Sequence, residues 1–564
     1  MMESILLRFP DIGQGIFKQV DNPSLTKCKE VCHSWGYFLN NDRLLWLRMI
    51  QKYDKNQVEF KEHWKKVTTK VPYETLKSLA FATEQFYTFD SNRCEFQHSP
   101  MHVASERGLL SLCKFIADKN MVINPKRKDG LSAFQIAARE GHLDVCQFFL
   151  DSINENNPAD IDNDGWTPIH DAACNGHLEI YKCIAKNLED KNPALSDGGT
   201  ALHLATEHGM FEIVEYIIGN IQKINPADDE GWTPLHFAAV NDRLEIYKLI
   251  AEKLDNKNPA LDDGDTSLHL AAQVGSFGIV EYVIGNVHNK NPADNFGLTP
   301  LHVAASQGEF DICKLILQNV DNKNPSNLNG RTPLHSAACN GHLEIYRYIA
   351  ENLDDKNPTQ NNGETALHLA AKQGKIEIVE YIIGNVHDRN PTDDNGLTLL
   401  HHAILHGHLE IYKCIAENLE DKNPALNDGW TPLDFAIKER KLEFVKYIIE
   451  NVQDKNSLLT PIFQAVLKGD FEIFKLFADN VEVRNPGIIH GHDFTLLAYF
   501  CKTIIGGAVD PDSEIAAGRS AILDLITEME DGTLPRSYKQ KEAENSDGFF
   551  KKLMNSIMNF GCLK

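Results

Sequence analysis

Residues 164–180 read Asp-Gly-Trp-Thr-Pro-Ile-His-Asp-Ala-Ala-Cys-Asn-Gly-His-Leu-Glu-Ile, and the same pattern returns along the chain at a fixed step. The threonine that opens its Thr-Pro-Leu-His-like tetrad recurs every 33 residues, at Thr167, Thr200, Thr233, Thr266, Thr299, Thr332, Thr365, Thr398 and Thr431. An Asn-Pro pair keeps the same step from Asn192 to Asn423. A strict period of this length is typical of a solenoid, in which each repeat stacks on the next.

Each repeat is predicted to contain two helices and a hairpin-like tip. In the repeat that begins at Asp164, Thr167 is the expected N-cap and Pro168 the first helical residue, because proline has no amide hydrogen to lose there. Gly176 is expected to end this helix in a left-handed conformation. The second helix is predicted from its apolar stripe of Leu178, Ile180, Tyr181 and Ile184. Neither helix can bury its apolar face alone, so the repeats must stack.

This pattern resembles the ankyrin repeat, with close matches that start at Asp164, Glu230 and Asn329. The resemblance implies an all-α solenoid of eleven or twelve repeats over roughly residues 98–500, with degenerate repeats as caps at both ends. The chain departs from the family where the second helix ends, since it has Asn-Leu-Glu-Asp at 187–190 in place of the usual Gly-Ala-Asp. We expect Asn187 to take the left-handed cap there, because asparagine tolerates a positive φ.

Residues 5–50 do not follow the 33-residue period and are predicted to form short helices with one apolar face. Their anchors resemble those of an F-box: Phe9-Pro10-Asp11, Ile16-Phe17, Leu25, Cys28, Val31-Cys32, Trp35 and Leu45-Trp46. The resemblance implies a three-helix module that docks on the Skp-type adaptor of a cullin-RING ubiquitin ligase. Carried over by position, the adaptor-binding surface consists of Pro10, Ile16, Phe17, Leu25, Cys28, Val31, Cys32 and Trp35.

Two functions follow from different interpretations of this front module. If it is an F-box, the protein is a non-catalytic substrate receptor of an SCF-type ligase, and the repeats hold the substrate protein. If the module is only a helical cap on the solenoid, the protein is a ligase-independent scaffold or anchoring protein. Gly13 and Gly15 depart from the F-box pattern, since each glycine in a helix costs ~1 kcal/mol relative to alanine.

The charge of the chain restricts its partners. The formal net charge is −24, and residues 99–495 carry it, with 34 basic and 58 acidic side chains. Such a surface repels phosphate backbones, so we expect no nucleic-acid partner and favour a basic protein, unless the charge is only a solvated face. Twelve cysteines are too few for a disulfide scaffold, which favours a reducing compartment, the cytoplasm or the nucleus.

The candidate binding residues lie where one repeat turns toward the next. The residue after the Asp-Gly, Asn-Gly or similar glycine turn is predicted to contact a partner in seven of the repeats, since tryptophan and arginine dominate interface energetics. This set consists of Trp166, Trp232, Leu298, Arg331, Glu364, Leu397 and Trp430. Alternatively, the three tryptophans pack along the stacked tips.

Histidine fills the fourth position of most tetrads, where it invites a metal or acid-base interpretation. Because it recurs in every such repeat, we expect a structural role instead, in which the imidazole hydrogen-bonds its own turn and the next. The set consists of His102, His170, His203, His236, His269, His302, His335, His368 and His401. We expect no catalytic residue, no cofactor and no metal, since no phosphate-binding loop, nucleophile elbow or zinc-ligand spacing occurs.

The predicted organisation has five parts: an F-box-like module at 1–50, a helical linker at 51–97, the solenoid at 98–500, a cap with a flexible segment at 501–547, and an amphipathic helix at 548–564. This last helix could lie on a membrane, bind a partner's groove or pack on the final repeat. The longest apolar stretch, residues 494–509, is interrupted by Lys502 and is too short to span a bilayer.

Overall fold

The computed structural model describes residues 100–117, 122–152, 161–452, 461, 465, 468, 470–480 and 519–524. Over these residues the regular structure is helical, and extended pairing is limited to isolated bridges such as Ala194 with Thr200. The prediction of an all-α solenoid is confirmed. The chain separates into two compact bodies, residues 1–295 and residues 296–564.

The described part of the first body consists of six repeats, each with a first and a second helix. The first helices are α1 (Pro100–Glu106), α3 (Ala133–Arg139), α5 (Pro168–Cys174), α7 (Ala201–Glu207), α9 (Pro234–Val240) and α11 (Ser267–Val274). The second helices are α2 (Leu110–Ala117), α4 (Leu143–Ser152), α6 (Leu178–Ala185), α8 (Phe211–Ile218), α10 (Leu244–Ala251) and α12 (Phe277–Asn286).

The described part of the second body includes five further repeats and an additional helix. The first helices are α13 (Pro300–Gln307), α15 (Pro333–Asn340), α17 (Ala366–Lys372), α19 (Leu399–His406) and α21 (Pro432–Lys438). The second helices are α14 (Phe310–Asn319), α16 (Leu343–Ala350), α18 (Ile376–Asn385), α20 (Leu409–Glu417) and α22 (Leu442–Asn451), and α23 (Phe471–Asn480) packs on α22.

Helices of the same kind stack within each body. In the first body α5 packs on α3 and α7, while α6 packs on α4 and α8. Ala172 and Ala173 in α5 are fully buried, and their small size lets the first helices approach closely. Tyr181 and Ile184 in α6 are also fully buried, and burial of such side chains contributes roughly 1.5–3 kcal/mol each. The core therefore consists of the same contacts between neighbouring helices, repeated from one repeat to the next.

The predicted start and end of the first helix are both confirmed. Thr167 has an extended backbone with φ −124° and precedes Pro168, the first residue of α5. Gly176 follows the helix with φ +80°, a conformation that glycine adopts without the clash a Cβ atom brings.

The prediction for the end of the second helix is wrong. Among the described residues other than glycine, only Asp242 and Arg440 have a positive φ, so Asn187 does not take a left-handed cap. Its side-chain Nδ2 donates instead to the Cys183 carbonyl, at 3.0 Å, one turn back in α6. The side chain satisfies a carbonyl that the helix leaves unpaired, so the backbone does not need to reverse. The same bond recurs at Asn220, Asn286, Asn319, Asn352, Asn385, Asn418 and Asn451.

Pairs of tyrosines join neighbouring second helices in steps of two repeats. The first body has Tyr181 against Tyr216 and Tyr247 against Tyr282, with ring centroids about 6 Å apart and edges on faces. The second body repeats this arrangement at Tyr346 with Tyr381 and at Tyr412 with Tyr447. Alternate repeats are therefore different in kind.

Several predictions fall on residues outside the described part of the chain. They are the F-box-like module at 1–50 with its eight adaptor-binding residues, the linker at 51–97, the segment 501–547 apart from 519–524, and the amphipathic helix at 548–564. In the part of the chain that is described, every helix is too short or too polar to cross a bilayer.

Candidate interaction surface

Three tetrad histidines of the first body, His170, His203 and His236, brace the tips from inside. The Thr200 amide donates to His203 Nδ1 at 3.0 Å, so Nδ1 is the acceptor and Nε2 carries the proton. His203 Nε2 then donates to the Pro226 carbonyl in the next tip, at 3.1 Å. His170 and His236 make the same pair of bonds, to Pro193 and Pro259. The expected structural role is confirmed for these histidines, and burial lowers the pKa of all three.

An acidic residue fixes the turn at many tips. Asp162 Oδ1 accepts from the amides of Asp164 and Trp166, at 3.0 and 2.8 Å. Asp228 holds Trp232 in the same way, at 2.7 Å. Because the backbone before the tryptophan is held by the repeat itself, the direction of each tip side chain is set before any partner arrives.

Neighbouring tips are joined by single backbone hydrogen bonds. In the first body the Asp229 amide donates to the Asp197 carbonyl at 3.0 Å. In the second body Asn361 donates to Asn329 in the same way, also at 3.0 Å. Each body therefore presents its tips as a continuous row rather than as separate loops.

The structure places six of the seven predicted contact residues at the partly exposed edge of this row. Glu364 differs because it is buried, with 8% of its surface exposed. The six half-buried residues are Trp166, Trp232, Leu298, Arg331, Leu397 and Trp430.

The tryptophans cover the first helix of their own repeat. The Trp232 ring lies 5.5 Å from that of Phe237, and the Trp430 ring lies 5.4 Å from that of Phe435. The Lys438 ammonium lies 5.4 Å from the centroid of the Trp430 ring. Each of these indoles is thus partly packed against the first helix of its own repeat, not along the stacked tips, and partly exposed. A rigid, half-open indole is well suited to an interface because little side-chain entropy is lost on binding.

The comparison with known families agrees with this geometry. The sequence model for ankyrin repeats, taken three copies at a time, matches residues 73–157, 101–194, 183–263, 250–327, 268–361, 319–393, 351–425 and 367–458. The chain belongs to the ankyrin-repeat family. No curated protein matches it at a significant level.

Membership of the ankyrin-repeat family identifies the chain as a protein–protein interaction module and indicates no catalytic family. The tips of this ankyrin array carry partly exposed tryptophans on a backbone that hydrogen bonds hold in place. Functional interpretation therefore centres on the tips.

The sequence patterns missed one unusual group in the ankyrin array of the second body. Lys372 Nζ forms an ion pair with Glu364 Oε1, and His402 Nε2 lies 3.0 Å from Asp393 Oδ2. Burial, then the charges of Lys372 and His368, lower the pKa of His402 to about 4, so the imidazole is neutral near pH 7. The signal in the sequence was the doubled histidine of Thr-Leu-Leu-His-His at 398–402, where the residue after the tetrad is otherwise mostly apolar.

A simpler charge pair occupies the corresponding register in the first body. Arg139 Nη2 lies 2.8 Å from Asp171 Oδ1, and Asp171 is 1% exposed. Burial raises the pKa of Asp171 to about 6, although Arg139 opposes this shift. One positive charge faces one carboxylate here, whereas two carboxylates face Lys372 in the second body.

Proposed function

We propose that this protein is the substrate receptor of an SCF-type cullin-RING ubiquitin ligase. The observation that carries the proposal is the F-box-like set of anchors ahead of the ankyrin repeats, from Pro10 to Trp35. In this arrangement the front module recruits the Skp-type adaptor, and the repeats hold a protein for ubiquitin transfer by other subunits. Sparse cysteines favour the cytoplasm or the nucleus as the compartment.

The row of tips in each body is a proposed substrate-binding surface. Trp166 and Trp232 would be anchors in the first body and Trp430 in the second, since each keeps a partly exposed indole on a fixed turn. The negative charge of residues 99–495 favours a basic substrate, whose association would be faster at low salt. Leu298, Arg331 and Leu397 would add to the contact around Trp430 in the second body.

The experiment uses the full-length chain and a purified Skp-type adaptor. The double variant Leu25→Asp, Trp35→Ala removes two apolar anchors of the F-box-like surface, and Trp232→Ala serves as the matched control in the repeats. We expect micromolar or tighter adaptor binding by the wild type and by Trp232→Ala, and none by the double variant. Circular dichroism with the wild-type helical signal verifies that the variants are folded.

The alternative function is a ligase-independent ankyrin scaffold. Gly13 and Gly15 favour it, because they weaken the first helix of an F-box. If the folded wild type does not bind the adaptor, the receptor proposal is wrong and the scaffold remains. Both functions predict that the repeats bind a partner protein through Trp232. Only the measurement of adaptor binding therefore distinguishes the receptor from the scaffold.

A further inference from the structure

A buried cluster of four ionisable side chains lies between two repeats of the second body. Glu364 immediately precedes the N-cap of α17, Lys372 is the last residue of α17, Asp393 lies in the next tip, and His402 belongs to α19. The exposed fractions are 8% for Glu364, 6% for Asp393 and 4% for His402. We call these four residues the 364–402 cluster.

The ligand atoms of this cluster are close together. One atom each from Glu364, Asp393 and His402 lies within 4.8 Å of the other two. Among the residues that the structure describes, this is the one such set of three or more histidine, cysteine or carboxylate groups. His402 Nδ1 is fully buried and has no hydrogen-bond partner there.

The fold does not need these charges. At the equivalent positions of other repeats in the second body, Leu298 stands for Glu364, Ser306 for Lys372 and Phe435 for His402. Those repeats form the same two helices and the same tip. Burying ions costs free energy, and the other repeats show that the two helices and the tip form without Glu364, Lys372 and His402.

The cluster has an unbalanced charge. Two carboxylates, those of Glu364 and Asp393, lie in a cluster with the single ammonium of Lys372, so one carboxylate has no ammonium to balance it. A divalent cation in place of the ammonium would bring the total to zero. The Lys372 side chain is 22% exposed, so it has a route by which its ammonium can turn into solvent.

We propose that Glu364, Asp393 and His402 bind a divalent transition-metal ion of the zinc class in place of the Lys372 ammonium. One imidazole nitrogen and two carboxylate oxygens are a donor set that zinc accepts, with the fourth position open to water. Ligands that bind zinc tetrahedrally at 2.0–2.2 Å lie about 3.4 Å apart. The 3.0 Å separation of His402 Nε2 and Asp393 Oδ2 is already close to this value. The metal therefore needs only a short approach of Glu364.

The bound ion would join two successive tips. Glu364 belongs to one repeat, while Asp393 and His402 belong to the next. The Leu397 amide donates to Asp393 Oδ1 at 2.9 Å, so one of the candidate contact residues is tied to the proposed site. Metal binding is expected to stiffen the row of tips at this point.

The test measures Zn²⁺ binding by the full-length chain in competition with a chromophoric chelator. Because other histidines and cysteines also bind zinc, the number and affinity of the bound ions are compared between variants. Each variant borrows a residue that another repeat already holds at that position: Lys372→Ser from Ser306, His402→Phe from Phe435 and Asp393→Asn from Asn327. Asparagine also keeps the turn, since Asn327 Oδ1 accepts from the Arg331 amide at 2.9 Å. His335→Gln is the matched control, as it removes a buried histidine outside the cluster.

We expect Lys372→Ser to bind one zinc ion about tenfold or more tightly than the wild type, because a competing charge is gone. His402→Phe and Asp393→Asn should each lose that one equivalent, and His335→Gln should retain it. Helical circular dichroism establishes that each variant is folded. If Lys372→Ser and the double variant Lys372→Ser, His402→Phe bind the same number of zinc ions with the same affinity, the proposal is wrong.

Discussion

Replacing His335 by glutamine tests whether the tetrad histidines are held neutral inside the repeats. Burial, and next the charge of Arg331, lower the pKa of His335 from 6.5 to about 3. In the unfolded chain this imidazole titrates at its ordinary value, so below pH 6.5 the unfolded state takes up a proton that the folded state rejects. The stability that neutral His335 contributes is therefore complete above pH 6.5 and is lost progressively as the pH falls from 6.5 toward 3.

The size of the effect follows from the pKa difference. At pH 5 the loss is about 2 kcal/mol, because each pH unit below the unfolded pKa is equivalent to about 1.4 kcal/mol. Gln135 shows that glutamine fits the same position, since its Oε1 accepts from the Ser132 amide at 3.0 Å. Glutamine keeps the cap and takes up no proton. Between pH 7.5 and pH 5, the stability of His335→Gln relative to the wild type should rise by about 2 kcal/mol.

Hydrogen exchange followed by mass spectrometry is the suitable assay, because repeat arrays open locally rather than in one step. The opening free energies of amides in α15 and α16 are compared between the two proteins at each pH, which cancels the intrinsic pH dependence of exchange. Amides in α3, whose cap is Gln135, provide an internal reference. If the difference between the proteins is the same at both pH values, His335 is not held neutral and the reasoning is refuted.

Four further substitutions test the local structure. Gly341→Ala should lower the free energy of unfolding by about 1–2 kcal/mol because Gly341 has φ +91°. Gly384→Ala should raise it by about 0.5–1 kcal/mol, because Gly384 lies in the α18 helix with no atom within 4 Å of the added Cβ. Urea unfolding must show opposite signs for the two variants. Tyr247→Phe should lower the free energy of unfolding in urea by about 1 kcal/mol, because the buried Tyr247 hydroxyl donates to the Lys257 carbonyl at 2.7 Å. An unchanged urea midpoint would show that this hydrogen bond makes no net contribution to stability. Asn385→Gly should lower the free energy of unfolding by about 1 kcal/mol or more, since Asn385 Nδ2 donates to the Tyr381 carbonyl at 2.8 Å in the wild type. A variant as stable as the wild type, or more stable, would instead support a left-handed cap.

Sequence periodicity was sufficient to predict most of the fold. Thr167, Pro168 and Gly176 each restrict the backbone in one way, so they fix the start and end of a helix without reference to the rest of the chain. Asn187 is different because asparagine can end a helix either through its backbone or through its side chain. The residue type alone does not select between them, and in the structure the side chain makes the bond.

The candidate surface was only partly predictable. The tips follow from the turn pattern, so the positions of Trp166 and Trp232 were correctly expected, but their packing on the first helix depends on ring directions that a pattern does not contain. The 364–402 cluster was missed because its members belong to two repeats and come together only through the register of stacking. Within a single repeat, neither Lys372 nor His402 has a partner in the pattern that would indicate the cluster.

The tyrosine pairs bear on how the length of this array can change. Tyr346 and Tyr412 each place an edge on the ring of a tyrosine in the following repeat, at centroid distances of 6.0 and 5.9 Å. Within the four repeats from α15 to α22, excising two consecutive repeats leaves one complete tyrosine pair, whereas excising one repeat leaves a tyrosine without its partner ring. A form that lacks two of these repeats is therefore expected to lose less thermal stability per repeat removed than a form that lacks one.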